Sequence, residues 1–276
     1  MHGAPDVTDS CGIASAPLVS VVMSEYNTPI EQLRASLESI MVQTYADFEL
    51  VLIDDCGRND VDAVVAELDD ARIVVHHNAA NMGLAASLSY GITAIARGQL
   101  IARMDTDDVY APEHLQRLVS FARAHPEFAV YSSQSQEFSA ERQGITLGRE
   151  GEITASDLMR GRGPIHPATL IRRSDFGEVG GYPEYKRAED FALWSEMFIA
   201  NKRMYMTADL THRYRVENTD FQKRKLRNRG DEIRARLYYY PRMGARPVHY
   251  LKIVKSIVSG ALPIGLTRRL RKYIHR

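Results

Sequence analysis

Short apolar runs alternate with helical segments through the first hundred residues, and this alternation constrains the fold more than any other feature. Four apolar runs occur, at 18–23, 48–53, 72–76 and 100–104. Three segments with apolar side chains at helical spacing separate them, at 30–43, 61–68 and 84–96. Continuous runs of this kind are typical of strands buried on both faces of a parallel sheet. The pattern therefore predicts an α/β fold, with a Rossmann-like, mostly parallel sheet flanked by helices.

Polar residues follow three of the predicted strands. Ser24 and Asp55 follow the first two, and Asp105, Asp107 and Asp108 follow the fourth. In open sheets of this kind, ligands bind beyond the carboxyl ends of the strands. Neighbouring carboxylates raise one another's pKa unless a cation neutralises them, and oxygen ligands suit Mg²⁺ or Mn²⁺ better than zinc. The alternative is an acidic turn that caps the following helix.

The second half of the chain adds a histidine and a second pair of carboxylates. It predicts a strand at 128–132, a polar loop at 137–152, a strand at 163–173 and a helix from residue 188. His166 lies at the entry to the second of these strands. Glu189 and Asp190 open the helix, where they also suit the positive end of the helix dipole.

Several classes of protein are excluded by missing motifs. No Gly-x-Gly-x-x-Gly follows the first strand and no Walker Gly-Lys-Ser/Thr occurs, which argues against dinucleotide oxidoreductases and NTPases. Only Cys11 and Cys56 are present, too few for a disulfide framework or a zinc site. A sheet that binds a diphosphate without a glycine-rich loop needs positive charge from elsewhere, and a metal on Asp105 and Asp107 would supply it.

Charge is distributed unevenly, although the chain has 35 basic and 35 acidic residues. Residues 221–276 contain sixteen Lys and Arg and only two acidic residues. Within this region, 248–258 and 264–276 have the spacing of basic amphipathic helices, and His249, Lys252 and Lys255 are predicted to lie opposite the apolar side of the first. This favours an interfacial anchor on an anionic membrane. The alternative is helices that pack on the acidic body or on a second subunit.

The chain of 276 residues is divided by these patterns into three parts. Residues 1–17 lack a signal-peptide pattern and predict a disordered leader on a cytoplasmic protein. Residues 18–216 form the predicted catalytic domain, and 217–276 a basic helical extension. No apolar run is long enough to span a bilayer. No motif for reading nucleic acid accompanies the basic residues, so nucleic acid is not a predicted partner.

An ordered set of short motifs resembles the family 2 glycosyltransferases, which have the GT-A fold, over residues 18–216. The matching pieces are Gln43 to Tyr45, Asp54 and Asp55, Asn81 to Leu84, Met104 to Asp108, His166 and Pro167, Gly180 to Tyr182, Glu189 and Asp190, and Tyr214 and Arg215. The subgroup it is most similar to builds bacterial exopolysaccharide, capsule or O-antigen units.

The resemblance implies an inverting transfer of a sugar from a nucleotide diphosphate donor to an acceptor hydroxyl, with Mn²⁺ or Mg²⁺ as cofactor. By position it makes Asp190 the catalytic base, Asp107 the direct metal ligand and Asp105 a metal or ribose ligand. It places the nucleotide base at Asp55, with Ser24 and Tyr26 lining its pocket. His166 falls on the acceptor side, and Glu189 is expected to raise the pKa of Asp190.

The resemblance also has gaps. A histidine that is common in the family after Tyr214 and Arg215 is replaced by Glu217, and His212 is an alternative metal or phosphate ligand. The Gln-x-x-Arg-Trp motif of processive synthases is absent, which predicts non-processive transfer, here to a glycan or lipid-linked acceptor. Two other functions stay open, a nucleotidyltransferase and a non-catalytic membrane scaffold of the same fold.

Overall fold

A computed structural model describes residues 18–139, 143–216 and 229–261. The predicted leader 1–17 and the amphipathic segment 264–276 lie outside these ranges, as do residues 217–228. No helix within the described ranges has both the length and the hydropathy needed to cross a bilayer.

One mixed sheet forms the centre of the described chain. Its strands are β1 (Val19–Glu25), β2 (Phe48–Asp54), β3 (Ile73–His77), β4 (Leu100–Arg103), β5 (Val109–Tyr110), β6 (Val130–Phe138), β7 (Gln143–Leu147), β8 (Gly151–Glu152), β9 (Thr169–Arg172) and β10 (Met204–Arg215). Their order is β3-β2-β1-β4-β9-β6-β10-β5, with β7 paired to β6 and β8 to β10. The first four strands of this order are parallel, as predicted. β9 lies between β4 and β6 and runs antiparallel to both. It thereby joins the four parallel strands to a second parallel pair, β6 and β10.

Helices cover both faces of the sheet. They are α1 (Ile30–Met41), α2 (Val61–Ala66), α3 (Leu84–Tyr90), α4 (His114–Ala124), α5 (Ala155–Met159), α6 (Arg173–Glu178), α7 (Glu189–Ile199), α8 (Gly230–Arg242) and α9 (Pro247–Ala261). α1 and α4 pack in one apolar core, and α3, α7 and α8 pack in the other. The α/β sheet flanked by helices is therefore confirmed.

The first strand explains why a continuous apolar run is needed at the centre of such a sheet. Val21 and Met23 of β1 enter one core and Val22 enters the other. β4 lies beside β1 because the chain before it passes very close: a Cβ on Gly98 would lie 2.5 Å from the backbone N of Ser20. This packing places the end of β4, and the aspartates that follow it, in the middle of the carboxyl edge.

Three predicted segments differ from the structure. The strand predicted at 163–173 is only the four-residue β9, and it is preceded by a 3₁₀ turn at His166–Ala168. The polar loop predicted at 137–152 is partly wrong, because it contains β7 and β8. These are edge strands with largely exposed residues, so they lack the apolar alternation that marks a strand. The helix predicted at 84–96 is α3 followed by a π-helical turn, Gly91–Ile95.

The helices after residue 229 pack on the core formed by the preceding residues. Ala235, Tyr239 and Tyr240 of α8 and Ile253 of α9 are buried in the core that contains α7. The boundary at residue 216 stays a prediction. In the helix predicted at 248–258, His249 of the predicted polar side is buried, whereas Leu251, Val254 and Val258 of the predicted apolar side are exposed. His249 and Ser256 face inward because they form hydrogen bonds with Ser156 of α5 and Glu232 of α8.

Candidate active site at the carboxyl edge of the sheet

The loop between β4 and β5 brings three aspartates together. One carboxylate oxygen from each of Asp105, Asp107 and Asp108 lies within 4.8 Å of the other two. Asp108 is buried, and the other two are partly exposed. Carboxylate oxygens at this spacing can hold a hard divalent cation such as Mg²⁺ or Mn²⁺.

Neighbouring elements fix the backbone of this acidic loop. Oγ of Ser36, on α1, donates to the carbonyl oxygens of Asp105 at 3.0 Å and Asp108 at 2.8 Å. Nε of Arg215, at the end of β10, donates to the carbonyl oxygen of Asp107 at 2.7 Å. Since these contacts use main-chain oxygens, the carboxylates are positioned before any ligand arrives.

The electrostatics of the loop fit a cation. Burial, together with the charges of Asp105 and Asp108, raises the pKa of Asp107 to about 7. Burial also raises the pKa of Asp108 well above its usual value, again helped by Asp105. Oδ2 of Asp108 makes no hydrogen bond within the described residues. A buried carboxylate oxygen without a partner, beside like charges, costs free energy that a bound divalent cation would offset.

His212, the alternative ligand, lies behind the loop. Its Nε2 is 3.1 Å from Oδ2 of Asp108, a contact without hydrogen-bond geometry, and its Nδ1 is 2.7 Å from Oγ of Ser135. The ring is buried, and burial lowers its pKa to about 3, so the imidazole is neutral. His212 therefore lies against Asp108 as a neutral ring.

Arg103, the last residue of β4, connects the acidic loop with the start of α7. It is only 1% exposed, and its Nη2 donates to Oδ1 of Asp105 at 2.6 Å. Its Nε and Nη1 have no hydrogen-bond partner among the described residues. Its charge also acts on Glu189 and Asp190. The acidic loop and the start of α7 are therefore near enough for their charges to interact.

Glu189 and Asp190 occupy the first turn of α7, as predicted. Burial raises the pKa of Glu189 to about 7, and the charge of Asp190 adds to this rise. Burial also raises the pKa of Asp190, against a 2.6 Å hydrogen bond from the N–H of Phe191. Burial, and not the expected repulsion by Glu189, is thus the main cause at Asp190. A carboxylate with a raised pKa suits general-base chemistry near neutral pH.

His166 reaches this site through a tyrosine. Its Nε2 lies 2.5 Å from the hydroxyl oxygen of Tyr182, and its ring packs edge-on against Trp194. Burial lowers the pKa of His166 well below its usual value, so the ring is neutral. The charges of Glu189 and Asp190 act on the Tyr182 phenol. The acceptor-side role of His166 stays a prediction.

Asp55 lies on the donor side and is only 1% exposed. Its Oδ1 accepts hydrogen bonds from the side chain of Asn78 at 2.8 Å and the N–H of Met82 at 2.7 Å. Its Oδ2 accepts from the side chain of Asn81 at 3.0 Å and the N–H of Gly83 at 2.8 Å. The carboxylate thus anchors the loop after β3. Contact with a nucleotide base would require one of these four bonds to be exchanged.

The remaining predicted donor residues lie at the end of β1. Ser24 is partly exposed and Tyr26 is 54% exposed. Both are at the carboxyl edge that carries the acidic loop. Their contact with a nucleotide stays a prediction.

Two supporting residues escaped sequence analysis. Arg103 is noticeable in the sequence because it is a charged residue inside an otherwise apolar run. Ser36 is less noticeable, as a polar residue on the apolar side of α1 between Leu33 and Leu37. The linear sequence does not bring Ser36 to the acidic loop, and it does not show that the side chain of Arg103 turns toward Asp105.

The family model for glycosyl transferase family 2 matches residues 20–180, which is more than half of the chain. This chain belongs to glycosyl transferase family 2. Among its relatives is the putative glycosyltransferase EpsE of Bacillus subtilis, 28% identical over 94% of both chains. An Escherichia coli protein named UDP-Gal:alpha-D-GlcNAc-diphosphoundecaprenol beta-1,3-galactosyltransferase is 26% identical over 94% of this chain and 96% of its own.

Solved structures confirm the fold of this family 2 glycosyltransferase. TarS of S. aureus in complex with UDP has a TM-score of 0.65 at 19% identity, over 87% of this chain and 70% of TarS. The mannosyltransferase PcManGT of Pyrobaculum calidifontis, in complex with GDP-Man and Mn²⁺, has a TM-score of 0.64 at 18% identity. That match covers 91% of this chain and 72% of PcManGT. The predicted GT-A fold and enzyme class are confirmed.

Proposed function

We propose that this glycosyltransferase catalyses an inverting, non-processive and metal-dependent transfer of one sugar from a nucleotide diphosphate donor to a hydroxyl of a glycan acceptor. One observation carries the proposal. Arg103 is paired with an aspartate cluster suited to a divalent cation, and its charge also acts on a partly buried carboxylate pair whose pKa values are raised. Inverting transfer requires these two functions on either side of one anomeric carbon.

In this reaction the acceptor oxygen attacks the anomeric carbon and the bond from that carbon to the diphosphate oxygen breaks. The nucleoside diphosphate leaves with the bonding electrons, and Asp190 takes the proton of the attacking hydroxyl. General-base catalysis of this kind typically contributes about 10² to 10⁴ in rate. Since the pKa of Asp190 is raised by burial, its carboxylate is a stronger base than an exposed aspartate.

On the donor side, Asp107 and Asp105 would hold Mn²⁺ or Mg²⁺, and the cation would stabilise the charge of the leaving diphosphate. The residues that prepare this site are Ser36 and Arg215, whose bonds to the loop backbone aim the carboxylates. We assign the nucleotide base to Asp55, Ser24 and Tyr26. The complex of PcManGT with GDP-Man and Mn²⁺, a protein of the same fold, supports a nucleotide-sugar donor and a divalent cation for this reaction.

The acceptor is proposed to be lipid-linked and to belong to cell-surface polysaccharide biosynthesis. The galactosyltransferase above is named for a GlcNAc-diphosphoundecaprenol acceptor, and another E. coli relative, 25% identical over 64% of this chain, is named as a glucosyltransferase for a similar one. Such an acceptor places the enzyme on the inner face of the cytoplasmic membrane, with an anionic lipid surface as a partner. Family membership favours sugar transfer over the nucleotidyltransferase and scaffold alternatives.

The decisive variant is Asp190→Asn, which keeps the size of the side chain but removes the base. We expect kcat to fall by about 10² to 10⁴. Stabilisation by UDP, GDP or TDP with Mn²⁺ should be unchanged in a thermal-shift assay. Glu184→Gln is a matched control, because Glu184 is an exposed acid just before the same helix. Transfer that is unaffected by Asp190→Asn, or nucleotide binding that is lost with it, would refute the assignment.

A further inference from the structure

The outward face of α9 is apolar. Val248, Leu251, Val254 and Val258 are 51%, 62%, 54% and 53% exposed, respectively. Their spacing of three, three and four residues places them in one stripe along the helix. Ile257, beside the stripe, is also exposed. Ten residues of helix give the stripe a length of about 15 Å.

Polar contacts fix the opposite face of α9 against the protein. The N–H of Arg246 donates to Nδ1 of His249 at 3.0 Å, so Nε2 carries the proton and donates to Oγ of Ser156, on α5, at 3.2 Å. Nη1 of Arg229 donates to the carbonyl oxygen and Oγ of Ser256, at 3.0 and 2.7 Å. His249 and Ser256 are both buried. The helix cannot roll to bury its apolar stripe without breaking these bonds.

Basic residues lie beside the stripe and in the sequence segments next to α8 and α9. Lys255 is exposed beside it. Residues 262–276, which follow α9 directly, contain five Lys and Arg and no acidic residue, and residues 221–229, which precede α8, contain five more and no acidic residue. An apolar helix face bordered by basic segments suits an anionic lipid surface, which accepts both apolar side chains and positive charge.

We propose that α9 lies flat on an anionic bilayer with the stripe of Val248, Leu251, Val254 and Val258 inserted among the lipids. This inference rests on the proposed lipid-linked acceptor and names the surface that brings the enzyme to it. α9 packs on α8, and α8 packs on α7, whose first turn carries Asp190. The catalytic base thus belongs to the group of helices that contacts the membrane.

The test compares binding of the full chain to phosphatidylcholine vesicles with binding to vesicles that also contain phosphatidylglycerol. The wild type should cosediment with the anionic vesicles, and Leu251→Glu/Val254→Glu should bind at least about tenfold more weakly, since two inserted apolar side chains become charged. Val42→Glu is the matched control. Val42 is 61% exposed after α1, on the opposite face of the sheet, and this variant should bind within twofold of wild type.

Three results would overturn the proposal. The first is equal vesicle binding by the double variant and the wild type, and the second is no binding of the wild type to anionic vesicles. The third is a wild-type dimer that becomes a monomer when the two substitutions are made. The last would assign the stripe to a second copy of the chain. Leu251→Ser/Val254→Ser, with thermal unfolding of each variant, checks that the fold is kept. Transfer to a water-soluble acceptor should be equal in all variants, and its absence in the wild type would refute the proposed reaction without affecting the vesicle result.

Discussion

Asp107→Asn should make the metal-free protein more stable at pH 8, although it removes the proposed metal ligand. The pKa of Asp107 is about 7 in the folded protein and 3.8 in the unfolded reference, mainly because of burial and then because of Asp105 and Asp108. The folded state therefore resists ionisation between these two pH values while the unfolded state does not. Asp107 does not reduce the free energy of unfolding below about pH 4, and it reduces this free energy progressively as the pH rises to about 7.

The magnitude follows from the difference of about three pKa units. Each unit corresponds to 1.36 kcal/mol, so the charge of Asp107 destabilises the metal-free fold at pH 8 by up to about 4 kcal/mol. Solvent screening of the partly exposed Asp107 carboxylate reduces this to roughly 2 to 4 kcal/mol, or about 4 to 10 °C in Tm for a chain of this size. At pH 5 the difference in the free energy of unfolding between Asp107→Asn and the wild type should be less than half as large, because Asp107 of the folded protein is then largely protonated.

The assay is thermal unfolding of wild type and Asp107→Asn at pH 5 and pH 8, with EDTA or with excess Mn²⁺. Mn²⁺ should raise the Tm of the wild type at pH 8 and leave the variant unchanged. Asp47→Asn is the control, because Asp47 is exposed at the amino end of β2, away from the acidic loop. The reasoning fails if Asp107→Asn is no more stable than wild type at pH 8 in EDTA, or if Mn²⁺ stabilises both equally.

Two further substitutions test the residues that support the site. Asp55→Asn places an amide N–H₂ against two N–H donors of the loop after β3. It should lower the free energy of unfolding by about 3 kcal/mol in urea and weaken Mn²⁺-dependent nucleotide binding. Unchanged stability would mean that the four hydrogen bonds are not maintained in solution. Arg103→Met removes the donor 2.6 Å from Asp105 and should lower both kcat and the free energy of unfolding, the latter by about 2 kcal/mol. Arg103→Lys, which keeps the charge but loses the planar fork, should recover only part of the loss, and full recovery would show that charge alone is needed.

The sequence predicts the first half of the sheet well because its signals are local. β1 to β4 are short apolar runs separated by helices, and right-handed connections leave few ways to arrange them. β9 is different. It inserts between β4 and β6, far from both in sequence, and pairs with each in the antiparallel sense. Nothing in a four-residue strand specifies which two distant edges it will join.

The candidate site divides in the same way. Asp105, Asp107, Glu189 and Asp190 could be proposed from motif and position, because acidic residues at a strand end or helix start are conspicuous in the sequence. The effect of Arg103 on α7 could not, since it depends on β9 having brought the second half of the chain against β4.

By itself, the amino-acid sequence determined the alternation of strands and helices, the acidic loop after β4 and the basic character of the C-terminal region, because each depends on residues that are close together in the chain. Only the tertiary structure decided which side of α9 faces outward. Its apolar and polar sides were evident from the helical period, but their direction depends on Ser156 and Glu232, which hold His249 and Ser256 inward through hydrogen bonds. A periodic pattern gives a helix two faces, and the free energy of burial against distant partners selects the one that is turned to solvent.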